Sequence, residues 1–131
     1  MAAVDLVHDY ISALPGESRR LAHTEWGVTV PADQAEGWPL DIGLRIHEGL
    51  LRVQAFAASA DEAFDPWLLL HWNRQTRMAR FSCTRDRDIW VQADLPVTQL
   101  DEERIDALLG LVAEGAGVVR RFRAAAHEHS A

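Results

Sequence analysis

Lysine is missing from this sequence: all thirteen basic residues are arginine. We read this mainly as the codon bias of a GC-rich genome, ahead of selection for the bidentate anion contacts that arginine makes better than lysine. Cysteine occurs once, at Cys83. That excludes an intramolecular disulfide framework and any cysteine-based zinc centre. No apolar run approaches the ~20 residues that cross a bilayer as a helix. The opening MAAVDLVHDYISAL has no positive leader and carries Asp5 and Asp9 within its apolar pattern, so it is not read as a secretory signal. The expected location is the cytoplasm. Positive charge is scarce overall, 13 basic against 20 acidic residues, for a formal net charge of −7. Such a chain repels phosphate backbones unless its basic residues cluster. Neither nucleic acid nor a membrane is an expected partner. Internal repeats and low-complexity segments are absent as well; HEHSA at the C-terminus is the closest thing to a tail.

What is present is the material of one domain, residues 1–131. A chain of this length buries about two-thirds of its unfolded surface without needing a staple. Val4, Val7, Ile11 and Leu14 recur at helical spacing, and Pro15-Gly16 ends that helix. Leu21 to Val30 is extended, with Trp26 and Val28 alternating against Gly27 and Thr29; Pro31 to Pro39 is a loop. Leu40, Ile42, Leu44 and Ile46 alternate cleanly, His47-Glu48-Gly49 turns the chain, and Leu51, Val53, Ala55 and Ala57 continue the apolar face. A second helix starts at Asp65-Pro66, as N-cap and first turn, and runs through PWLLLHWNRQT. Near Arg77 the period changes from helical to alternating. Ala79, Phe81 and Cys83 point inward, then Ile89, Val91 and Ala93 after the turn Arg85 to Asp88. Asp101 caps a last helix, stapled by Leu100 and Ile105, whose apolar stripe runs to Phe122. Gly115 and Gly117 weaken it by ~1 kcal/mol each and permit a kink or a close approach to the sheet. The expected architecture is α+β: a single antiparallel five-stranded sheet with helices on one face, in the order α-β-β-β-α-β-β-α.

Two stretches invite a chemical reading. HWNRQTRMARFSC brings His71, Asn73 and Cys83 close in sequence, the parts of a thiol nucleophile site. His71 and Asn73, two apart on a helix, point in different directions, and Cys83 falls on the inward face, where a free cysteine acts as a small buried hydrophobe. We expect no catalytic residues. The histidines His8, His23, His47 and His71 are scattered over different elements, and only His127 and His129, around Glu128, have a metal-like spacing, in an end expected to fray. No glycine-rich loop joins a strand to a helix. No metal and no cofactor are expected.

The outward sheet face is the better candidate. Arg45, Arg52, Phe56, Arg80, Trp90 and Gln92 share it if the registers hold, and exposed aromatics among arginines have the composition of an interaction surface. Of the five tryptophans, Trp26, Trp67 and Trp72 are assigned to core or helix packing. Trp38, in a Gly-Trp-Pro loop, is either a plug over the core or a contact with another subunit. The helix over 64–76 is more apolar than one buried face requires, so Trp67 and Leu70, with Trp38, are candidates for a homodimer interface.

The segment WNRQTRMARFSCTRDRDIWVQADLPVTQLDEERIDALLGLV resembles the YbjN-like family of bacterial proteins. The resemblance rests on Trp72-Asn73, Arg80-Phe81, the charged turn Arg85 to Asp88, Ala93 to Pro96, and Leu100 to Ile105; it is good over 64–125 and topological over 1–60. The family is similar in fold to the type III secretion chaperones, which are small, acidic, dimeric and non-enzymatic and bind extended protein segments. What the resemblance implies is a non-enzymatic, dimeric, protein- or peptide-binding domain with a chaperone-like or regulatory role, without implying a secretion system. The second reading is a small-molecule-sensing regulatory domain, with a pocket between the sheet and the C-terminal helix.

Overall fold

The computed structural model describes residues 2–60 and 64–130, with side chains as far as Ala126. Helix α1 (Ala3–Ala13) leads into strands β1 (Glu17–Ala22), β2 (Glu25–Val30), β3 (Leu40–His47) and β4 (Leu50–Ser59). Helix α2 (Pro66–Asn73), strands β5 (Ala79–Cys83) and β6 (Asp88–Pro96), and the long helix α3 (Glu102–Ser130) follow. The strands form one antiparallel sheet of six, in the order β1-β2-β3-β4-β6-β5. The expected five strands and the expected order are thereby corrected: the order is α-β-β-β-β-α-β-β-α. The added strand is ESRRLA. Every residue of β1 is exposed, so it has no apolar face for a period of two to reveal. Its backbone pairing with β2, from Glu17 opposite Thr29 to Ala22 opposite Glu25, is what makes it a strand.

The inward face follows the sequence alternation. Trp26, Leu44, Val53, Ala93 and Ala79 stand in one row across five strands. Val28, Ile42, Ala55, Val91 and Phe81 form the next row, and both rows are buried. All three helices cover this side. From α3, Ile105, Leu108, Val112, Ala116 and Val119 are buried. Asp101 caps that helix by accepting from the Arg104 N–H at 2.7 Å, which satisfies one of its unpaired first-turn donors. A Cβ on Gly115 would stand 2.8 Å from Val91 Cγ1. Glycine there sets how closely α3 approaches β6, whereas Gly117 faces Arg121 and Glu36.

Helix α1 contributes Val7 and Ile11 to the core. Trp26 Nε1 donates to His8 Nδ1 at 3.3 Å, and Tyr10 Oη donates to Asp106 at 2.5 Å. Burial, together with the Asp106 carboxylate, pushes the Tyr10 phenol well above its ordinary pKa. Helix α2 begins as expected, with Asp65 accepting from the Trp67 N–H at 2.9 Å and Pro66 in the first turn. Leu69 is buried, and Trp72 packs on Phe64, Phe81 and Phe122 at centroid distances of 6.2, 5.5 and 5.6 Å. Two expectations of burial fail. Trp67 does not belong to the core: it is 74% exposed on the outer side of α2. Cys83 shares the inward parity of Ala79 and Phe81, but it is exposed, because it ends the edge strand beyond helical cover.

Candidate protein-binding surface

Among the described residues, no helix covers the opposite face of the sheet. Its side chains also stand in rows. Glu25, Arg45, Arg52 and Asp94 are adjacent across β2, β3, β4 and β6. Gly27, Gly43, Gln54, Gln92 and Arg80 make the second row, and Phe56, Trp90 and Ser82 belong to the third. The six nominated residues, Arg45, Arg52, Phe56, Arg80, Trp90 and Gln92, therefore do share one surface. The physical reason is the two-residue period of a strand, which sends to one side whatever alternates with the core.

The arginines are not loose. Asp94 accepts from Arg52 through both oxygens, at 2.8 Å from Nε and 3.0 Å from Nη2, and from Arg80 Nη2 at 2.9 Å. With the Gln92 amide turned so that its oxygen faces Arg80, that oxygen accepts from Nε at 3.3 Å and from Nη2 at 3.2 Å. Only 15% of the Asp94 side chain is exposed. The hydrogen bond from Arg52 is the leading cause that holds the Asp94 carboxyl below the ordinary carboxylate range; burial opposes it, and Arg80 adds to it. Arg45 pairs with Glu25 at 3.5 Å. Next to this network Phe56 meets Trp90 edge-on, with centroids 6.0 Å apart and planes at 73°. Phe56 is exposed and Trp90 half-buried. The Trp90 indole N–H is covered and has no acceptor among the described residues.

The nominated dimer residues divide. Trp67 and Leu70, one helical turn apart on α2, are both strongly exposed, and so point from one face. Trp38, also exposed, is no plug over the core. It lines a cleft of about 470 Å³ with Phe56, Ser59 and Arg120, at the rim of the open face. Arg120 fixes that rim. Its Nη1 donates at 2.7 Å to both the Ala35 and Trp38 carbonyls, its Nη2 to Pro39 at 3.2 Å and its Nε to Ala57 at 3.4 Å. Burial lowers its pKa.

Three residues of this surface escape a reading by pattern. Asp94 alternates outward but draws attention only once both arginines are seen to converge on it. Arg120 reads as a cation placed against a helix dipole, and acts instead as a clamp on the loop over 31–39. Asn73, the single asparagine of the chain, is the third. Its Nδ2 donates to the Phe81 carbonyl at 3.0 Å and its Oδ1 accepts from the Phe81 N–H at 2.7 Å. It occupies the outer edge of β5 as a neighbouring strand would. The composition signal was there, a lone asparagine at a helix end before an edge strand. Of the nucleophile candidates, Asn73 is engaged with backbone, and among the described residues no hydrogen bond joins His71 or Asn73 to Cys83. Among the described residues no group of three metal-ligating side chains occurs; His127, Glu128 and His129 lie outside the described side chains. No described helix is long and apolar enough to cross a membrane.

Solved structures share this fold. A chain of the HopA1–SchA chaperone–effector complex matches with TM-score 0.71 at 10% identity, over 89% of this chain and 91% of that one. The Yersinia pestis type III secretion chaperone SycH, solved with a stable fragment of YscM2, matches with TM-score 0.59 at 13% identity, over 87% and 96%. YbjN from E. coli matches with TM-score 0.66 at 14% identity, over 95% and 92%. At such identities the likeness is one of fold. No curated protein sequence matches the chain. The family model does: residues 44–125 match YbjN, described as "Putative bacterial sensory transduction regulator". The chain belongs to the YbjN family.

Proposed function

We propose that this protein is a non-enzymatic, homodimeric binding module that holds a segment of another protein on its open sheet face, in a chaperone-like or regulatory role. The observation that carries the reading is the uncovered face itself, where the Phe56–Trp90 pair lies beside Arg45, Arg52 and Arg80. Aromatic and arginine side chains supply much of the binding energy at protein interfaces. The resemblance to chains crystallised with effector or partner fragments supports it. The exposure of Trp67 and Leu70 on α2 supports dimerisation through them.

Of two modes of binding, side-chain docking on the face is favoured over strand addition at an edge. Asn73 occupies the Phe81 backbone groups on β5. On β1, Arg20 folds back onto the Ala22 and His23 carbonyls at 3.3 and 2.6 Å, beside a bulge. Bulges, charges and occupied backbone groups are how exposed edges are kept from pairing.

The test is affinity capture from native extract, followed by titration of each purified candidate. The baits are wild type and two variants, Phe56→Ala/Trp90→Ala and Arg45→Glu. These spare the Asp94 network. A client that binds wild type and loses at least roughly tenfold in affinity with either variant supports the face. Clients that bind all three baits equally would place recognition elsewhere.

A further inference from the structure

A second cleft, of about 480 Å³, lies between α3, strand β5 and the turn that joins α2 to β5. Its volume is in the range of small-ligand sites. Trp72, Phe81, Val91, Leu111 and Val118 supply apolar wall. Gly115 lines it without a side chain, where a Cβ would strike Val91. The missing side chain thus lets α3 approach β6 and leaves space beside the contact.

The rim carries charge. Arg80 is committed to Asp94, but Arg77 is exposed and has no carboxylate within 4.0 Å among the described residues. Its backbone is also held. Met78 has φ of 64°, a left-handed conformation uncommon for a non-glycine residue, which Glu36, Glu48 and Arg87 also adopt. The Ala79 N–H donates to the Arg77 carbonyl at 2.6 Å. Glu114 also lines the cleft and opposes any anion near it, so the ligand can carry no more negative charge than Arg77 balances.

We propose that this cleft binds a small amphipathic monocarboxylate, its apolar body against Trp72, Phe81 and Val91 and its carboxylate on Arg77. The cleft shares Arg80 with the rim of the open face but opens on the helical side of the sheet, and the proposal does not depend on the client-binding reading.

The experiment is calorimetric titration of the full chain with 3-phenylpropionate, with 3-phenylpropan-1-ol as the uncharged control. Amide and indole shifts are followed by NMR in parallel. Saturable binding of the acid is expected, with shifts at the Trp72 indole, Val91 and Val118. The alcohol and the Arg77→Gln variant should each bind roughly tenfold or more weakly, the worth of one charged hydrogen bond. Val118→Trp, or Leu111→Trp if the first does not fold, should abolish binding by filling the cleft. Absence of saturable binding to wild type overturns the proposal. So does binding that is indifferent to Arg77→Gln, or shifts that fall on residues away from this cleft.

Discussion

Asp94 collects two guanidinium groups on a face that would otherwise carry loose arginines. Its carboxyl has a lowered pKa in the folded chain. A carboxylate with a folded-state pKa below its unfolded value adds stability that is fully present above the unfolded pKa, 3.8, and is lost as pH falls through the lowered folded value. Asp94→Asn should therefore destabilise the protein by about 1 kcal/mol at pH 7, in the range of partly exposed networks. The difference from wild type should shrink as the medium is acidified below pH 3.8. Urea denaturation of both proteins at pH 7 and at pH 3 measures it; a gap that widens on acidification contradicts the assignment. Tyr10 has the opposite linkage. Its neutral form is favoured, so its contribution is present below the unfolded phenol value of 10.0 and declines only as pH rises through the raised folded one.

Asn73 and Gly115 act on whole elements. Removing the Asn73 amide leaves the Phe81 N–H and carbonyl without their partners. Asn73→Ala should cost about 1–3 kcal/mol and open the edge of β5. Loss of stability by chemical denaturation, together with concentration-dependent self-association by sedimentation, is the expected pair of results. Loss of stability without association would mean that the remainder of the edge is protected by other means. Gly115→Ala sets two effects against each other. Helix propensity favours alanine by ~1 kcal/mol, while a Cβ 2.8 Å from Val91 Cγ1 forces α3 off the sheet. Overpacking of this kind costs about 1–3 kcal/mol, so the single substitution should destabilise. In a Val91→Ala background the same change should become neutral or stabilising. A double-mutant cycle reads the reversal directly.

At the scale of the molecule, the helices use one face of the sheet for the core and, among the described residues, leave the other uncovered. The outer side of α2, with Trp67 and Leu70 exposed, is the proposed dimer surface. Wild type should sediment at twice the 14.7 kDa of the chain, and Trp67→Glu/Leu70→Glu at the monomer mass with its circular dichroism unchanged. A monomeric wild type, or a double variant still dimeric, removes α2 from the interface. Trp38 stands at a different place, beside Phe56 on the rim that Arg120 holds. Trp38→Ala should leave the sedimenting mass unchanged and weaken client binding.

The order of helices and strands from Leu40 onward, the inward rows and the caps at Asp65 and Asp101 were legible along the chain. They depend on neighbours two to four residues apart, through strand alternation, helical periodicity and local hydrogen bonds. The polar strand β1 was not legible, because its pairing with β2 leaves no apolar signature. The exposure of Cys83 was not either: parity fixes the side on which a residue points, and distant elements decide whether anything covers it. The site shows the same division. The sequence by itself determined which residues share the open face. Only the tertiary structure decided that Asp94 binds Arg52 and Arg80, that Asn73 closes β5, and that Gly115 leaves a cleft beside Val91. Those contacts join residues that chain folding, not sequence spacing, brings together.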